Sequence, residues 1–185
     1  DQGYFLGEHG FFDKRIMYEE ALRMPFTIRY PKEIKAGTRI KEMVLNHDFP
    51  ALFLDYASGE RTSFEEGKSF REILNGGTVE DWRTNLYYRY WQHLDIRPAH
   101  LGVRNERFKL IYFYGKGLGK KGAMNLETEA FWEFYDLEND PSENTNLIND
   151  PNYIDDIKAT YEVLIKEKEK AGDGETVLEP IFTSN

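Results

Sequence analysis

Asp1-Gln2-Gly3 and Gly7-Glu8-His9-Gly10, followed by Lys14, set a carboxylate, an amide oxygen, an imidazole and an ammonium along one glycine-punctuated stretch. Asp and Gln offer hard oxygen donors, which suit Ca²⁺ or Mg²⁺ better than Zn²⁺. A lysine further along the same loop can face the anion that such a cation holds. The stretch therefore has the composition of half a site, and its other half is expected upstream of Asp1. His9 either touches a substrate or holds the loop through a backbone hydrogen bond.

The elements that must position these residues follow from periodicity. Glycine punctuation without a helical or strand period makes 1–15 a loop, and Met17 to Arg23 a short helix stopped by Pro25. Alternating β-formers from Phe26 to Tyr30, closed by Pro31, predict a buried strand. Asn46 or Asp48 can cap a helix through Pro50 to Ala57, and Ser69 to Leu74 a second, ended by Asn75-Gly76-Gly77. That double glycine divides the chain into 1–77 and 78–185. Beyond it, Asn85–Trp91, His100–Arg104, Phe108–Tyr114 and Phe131–Leu137 read as strands of an antiparallel sheet. Ile154, Ile157, Tyr161, Leu164 and Ile165 form one stripe of a helix over roughly 152–171, expected to pack across that sheet. The basic run Gly115-Lys116-Gly117-Leu118-Gly119-Lys120-Lys121-Gly122 lacks the Gly-Lys-Ser/Thr ending and following helix of a phosphate-binding loop, and reads as a solvated hairpin connection.

Composition limits the partners. With 185 residues, 40% hydrophobic and 15% aromatic, the chain can build a packed core. A formal charge of −9 argues against nucleic acid or an anionic membrane as the main partner, and no apolar run spans a bilayer. No cysteine is present, so neither disulfides nor thiolate metal sites can form.

Asp1 to Glu20, in full Asp-Gln-Gly-Tyr-Phe-Leu-Gly-Glu-His-Gly-Phe-Phe-Asp-Lys-Arg-Ile-Met-Tyr-Glu-Glu, resembles the sulfatases of the alkaline phosphatase superfamily. In that family an Asp-His/Asn/Gln-Gly turn runs through Leu-Gly-Glu-His-Gly to an active-site lysine. Arg23-Met24-Pro25, Gly67-Lys68-Ser69-Phe70, Ala99-His100-Leu101-Gly102-Val103-Arg104, Phe108-Lys109-Leu110-Ile111 and Tyr135-Asp136-Leu137-Glu138-Asn139-Asp140-Pro141 are similar to later blocks of the family. The resemblance implies an α/β fold: the C-terminal edge of an alkaline-phosphatase-like core in 1–77, plus a small α+β subdomain in 78–185. It also implies that Asp1 and Gln2 ligate Ca²⁺, with Mg²⁺ second, and that Lys14 grips the sulfate, with His9 beside it. His100, and more weakly His93 and Arg97, would face the sugar; a strand-end histidine satisfied by a neighbour is the plain competitor for His100.

The implied reaction is hydrolysis of a sulfate ester, on a sulfated small molecule or glycan, by a periplasmic or secreted enzyme of the arylsulfatase type. Its nucleophile is a formylglycine made from Cys or Ser in a Cys/Ser-x-Pro-x-Arg signature, which this chain lacks. The missing N-terminal part of the same protein is therefore an expected partner, and the fragment alone is expected to be inactive. Two other readings stand beside this one. The first is a phosphomonoesterase or phosphodiesterase of the same superfamily, where a histidine is usual in place of Gln2. The second is a non-catalytic homologue that binds anionic glycans.

Overall fold

The computed structural model describes residues 3–59, 66–174 and 176–181. They fall into two compact units, one made of 1–25 with 85–185 and the other of 26–84. The expected division at Gly77 groups the chain differently, because the segment before Pro25 packs with the sheet.

In the first unit, β1 (Leu86–Tyr90), β2 (His100–Arg104), β3 (Phe108–Phe113) and β4 (Phe131–Asp136) form one antiparallel sheet in the order β1-β2-β3-β4. All four lie where the alternation predicts them. Period-two alternation sends Leu110 and Tyr112 to one face and Ile111 and Phe113 to the other. The first face carries a core with Leu101, Val103, Trp132 and Phe134, closed by Ile157 and Leu164 of α4 (Ile154–Lys170). Of the predicted stripe, Ile157, Tyr161 and Leu164 pack on the sheet, whereas Ile154 at the start of the helix is 37% exposed. A 3₁₀ turn at Pro151–Tyr153 leads into α4, with the Asp150 side chain accepting from Asn152 N at 2.9 Å. Lys168 and Lys170 end the helix where its dipole favours cations.

The opposite face receives the N-terminal segment. Phe5, Ile16, Met17, Tyr18 and Ala21 pack on Ile111, Phe113 and Tyr135, with Phe5 and Met17 fully buried. Gly102 permits this approach: a Cβ there would stand 2.7 Å from the Met17 sulfur and 2.4 Å from the Leu110 carbonyl. The short α1 (Glu19–Leu22) ends the segment.

The second unit holds α2 (Asp48–Tyr56) and α3 (Arg71–Leu74) around Leu52, Phe70, Ile73 and Leu74. Asp48 does not cap α2 in the predicted way. It is fully buried and accepts from Leu45 N, Lys68 N and the Arg83 guanidinium. The predicted strand at Phe26–Tyr30 is absent. No strand pairs with it among the described residues, Phe26 is 48% exposed, and the segment is held by rings instead, Phe26 on Phe49 and Tyr30 on Tyr56.

Candidate functional site

Lys14 lies in a looped-back segment closed by Phe5 N donating to Asp13 O at 2.7 Å and Gly7 N to Phe11 O at 3.0 Å. The bend needs left-handed backbone at His9 (φ 51) and Gly10 (φ 76), and glycine supplies the second without a Cβ penalty. The turn itself is fixed by Asp13, only 8% exposed. Its carboxylate accepts from Lys14 N at 2.5 Å, from Arg15 Nε at 2.8 Å and from the Arg97 guanidinium. Burial opposes ionisation there, yet the Lys14 amide and Arg97 together hold the carboxyl below its ordinary range. Tyr88 Oη, from β1, donates to the Arg15 carbonyl at 2.9 Å.

The charge balance of this turn is its chemical content. Asp13 is shared by two guanidiniums, so the Lys14 ammonium beside it is not needed for local neutrality. No ion pair of Lys14 occurs among the described residues, and its side chain is half-buried. An ammonium without an ion pair, next to a carboxylate already shared by two guanidiniums, is suited to an anion.

His9 is not directed at that cation. Its ring lies 4.4 Å from the Tyr18 ring, and Nε2 is 3.7 Å from Glu20 Oε2, so contacts within the segment hold the loop in shape. Arg97 enters the site through Asp13 rather than by an open contact of its own. His93 and His100 are both fully buried. Nδ1 of His93 accepts from Ala99 N at 3.3 Å, and burial lowers its pKa. His100 sits among the rings of Tyr88, Tyr90 and Phe113, and its Nδ1 faces the Pro98 carbonyl at 2.8 Å. Burial pushes its pKa down to about 4, so the ring is neutral, with Nδ1–H donating to Pro98. Both rings are thus enclosed within this unit, without an open surface for the sugar contacts expected of them.

The expected metal ligands Asp1 and Gln2 lie outside the described residues. Among the described residues no group of three or more His, Asp or Glu could hold a metal ion. A hard cation takes roughly six to eight oxygens. Two oxygen side chains fit such an ion in kind and fall short in number, so further ligands would have to come from elsewhere.

The scaffold also holds an interior charge cluster that no local motif announces. Lys109 is fully buried in β3, with Nζ 2.7 Å from Glu143 Oε1 and 3.0 Å from Glu19 Oε1. Glu143 also accepts from Glu19 N at 2.6 Å, and Arg104 reaches Glu19 at 3.2 Å. Glu19 is kept below its ordinary pKa by Lys109 and Arg104 in spite of burial, whereas burial pushes Glu143 up to about 6. Tyr18 Oη donates to Glu133 at 2.8 Å alongside. These bonds fasten the end of the Lys14 segment to the sheet. The only sequence signal is a lone polar residue at an inward strand position, and its partners lie far away in the chain.

The chain is similar to known proteins over most of its length. Residues 7–170 match the family model for the C-terminal part of N-sulphoglucosamine sulphohydrolase. An N-acetylglucosamine-6-O-sulfatase of Bacteroides thetaiotaomicron is 39% identical over 179 residues, covering 95% of this chain and 30% of that protein. An arylsulfatase of Clostridium perfringens is 28% identical, over 95% of this chain and 34% of its own length. A solved protein in complex with its substrate D-glucosamine-2-N,6-O-disulfate superposes with a TM-score of 0.79 at 38% identity, over 94% of this chain and 34% of that one. A phosphonate monoester hydrolase from Silicibacter pomeroyi has a TM-score of 0.73 at 20% identity over 94% of this chain and 34% of its own, a likeness of fold alone. This chain thus spans about a third of the length of its relatives. With the family model matched over most of its 185 residues, the chain belongs to the sulfatase family of N-sulphoglucosamine sulphohydrolase C-terminal regions.

Proposed function

We propose that this chain forms one wall of the active site of a sulfuric ester hydrolase whose substrate is a 6-O-sulfated glucosamine at the end of a glycan. The observation that carries the reading is the Lys14 turn: its ammonium is left uncommitted because Asp13 is already shared by Arg15 and Arg97. The identity of the substrate is supported by the 6-O-sulfatase relative and by the disulfated glucosamine bound in the superposed structure.

In this reading Lys14 donates to a sulfate oxygen, where its charge counts most as negative charge grows on that oxygen in the transition state. Arg97 positions the lysine by fixing Asp13, and His9 keeps the loop closed by lying on Tyr18. His93 and His100 shape the wall without touching the sugar. Asp1 and Gln2 would contribute oxygen ligands to a Ca²⁺ ion, which when bound supplies charge neutralisation for the sulfate and orients the nucleophile. The nucleophile, a formylglycine in the resembling family, would come from outside this chain. The chain by itself is inactive on this account, and the protein that carries it is periplasmic or secreted. No helix of the described residues is long and apolar enough to cross a membrane.

Sulfate release from 6-O-sulfated N-acetylglucosamine by the full-length protein tests the reading. Lys14→Met is expected to lower kcat by about 10²–10³-fold, the scale of losing one charged transition-state donor. Lys14→Arg should recover part of that loss. A full-length protein that prefers phosphate monoesters and carries two zinc ions would move it to the phosphatase branch of the superfamily.

A further inference from the structure

The two backbone bonds that close the Lys14 segment, from Phe5 N to Asp13 O and from Gly7 N to Phe11 O, share one antiparallel register, with a 3₁₀ turn at Glu8–Gly10 joining the two limbs. In that register Leu6 stands opposite Phe12, and Lys14 lies two residues beyond Phe12 on the same limb. Period-two alternation then puts Leu6, Phe12 and Lys14 on one side and Phe5, Phe11 and Asp13 on the other. Burial follows the alternation. Phe5 and Asp13 are 0% and 8% exposed, and the Phe11 ring packs 5.7 Å from that of Phe5, whereas Leu6 and Phe12 are 71% and 73% exposed. The Phe12 ring has a definite place: its Cζ is 4.0 Å from where a Cβ of Gly7 would stand, so it leans across the turn toward a residue without a side chain.

Distance decides what this apolar pair can touch. Two residues along an extended limb advance about 7 Å, and opposed side chains of a non-hydrogen-bonded pair stand about 4.5–5.5 Å apart. A sugar ring is joined to its 6-O-sulfate through only a methylene and an oxygen. An ester held by its sulfate at Lys14 therefore lays its carbon skeleton within reach of Phe12 and Leu6. The C–H face of such a ring gains by leaving water for an aromatic surface, and ligand sites combine such surfaces with a few fixed polar groups.

We propose that Phe12, backed by Leu6, is a specificity-determining surface of the sulfate site, packing on the apolar face of the sugar whose sulfate Lys14 grips. The proposal rests on the sulfatase reading and deepens it, dividing recognition between a charged head at Lys14 and a carbon body at Phe12. The competing occupant of this side of the segment is polypeptide of the same protein.

The test uses the full-length protein, with 6-O-sulfated N-acetylglucosamine as substrate and inorganic sulfate, which has the charge without the carbon body, as inhibitor. Phe12→Ala is expected to raise KM for the sugar about tenfold, the scale of one lost ring contact, and to shift the inhibition constant of sulfate by less than about twofold. Phe12→Trp, which keeps an aromatic face, should hold KM near the wild-type value. Equal shifts of both constants in Phe12→Ala, or no shift in either, overturn the proposal. The tryptophan variant also reports what covers the position. Its added indole, read against the wild-type signal, should be open to acrylamide quenching in the free protein and shielded once the sugar binds. An indole already shielded without sugar is covered by polypeptide, and the proposal then fails even if Phe12→Ala does not fold. Should wild type release no sulfate from the sugar, the sulfatase reading fails instead. Calorimetric titration with the same sugar then decides the surface, and equal affinity of wild type and Phe12→Ala overturns it.

Discussion

The two units of this chain solve the same problem, satisfying buried backbone and charge, by different means. The unit containing the sheet does it with backbone ladders between strands and with interior charge pairs such as those of Lys109. The 26–84 unit has only two short helices among its described residues and relies on side chains as braces. Asp48 collects two backbone amides and Arg83, Trp82 Nε1 donates to Met43 O at 3.0 Å, and Arg71 bridges Glu33 and Asp55. Where neighbouring strands cannot pair the backbone, long polar side chains take over the pairing. Residues placed by ladders gain precision from many cooperating bonds, and this is the unit that carries the Lys14 turn.

Breaking each unit at its main polar node separates the two modes. Lys109→Met leaves Glu19 and Glu143 buried without their shared cation, and a loss of about 3–5 kcal/mol is expected in denaturant unfolding. Adding Glu143→Gln to that variant should restore part of the loss, because it removes one orphaned charge. A loss below about 1 kcal/mol in the single variant would mean the cluster is hydrated. In the other unit, Arg83→Ala should cost about 2–3 kcal/mol, less than Lys109→Met, since Asp48 keeps its two backbone donors. Local hydrogen exchange in 26–84 would show that loss while the sheet amides stay protected.

A smaller effect comes from pH. The folded-state pKa of Glu143 lies above its ordinary value of 4.5, at about 6. Its contribution to stability is therefore fully present below 4.5 and is lost as pH rises through 6. Between about pH 5 and pH 7 the wild type should lose about 1–2 kcal/mol that Glu143→Gln does not lose. Parallel curves for the two proteins would assign the proton to another group. Smallest of all is Arg71→Ala: its partners are partly exposed and solvent-screened, so the melting temperature should hardly move.

The same contrast explains which features the residues disclose on their own. The four strands and α4 are readable because one face of each must be apolar, which imprints a period of two or 3.6 on the sequence. Phe26–Tyr30 carries a strand-like pattern and is not a strand, since alternation reports a residue's preference and not the presence of a partner to pair with. Lys14 stands out as a candidate through a local motif. Arg97, Asp13 and Arg15 are not legible as a unit, because their pairing joins positions that only the fold brings together. The burial of His100 and His93 is not legible for a related reason: an exposed histidine and a histidine locked in a core look alike in one dimension.

The fastening of residues 3–22 to the far face of the sheet has a temporal consequence. The segment is made before its supports, among them Tyr88, Arg97, Lys109 and finally Glu143. Contacts of such long sequence separation form late, after the loops between them have closed. The turn that presents Lys14 must therefore wait on the ribosome until the strand-and-turn region ending at Glu143 has emerged. An early stall or truncation before that residue would yield a chain with the turn's residues all present and nothing to hold them in register.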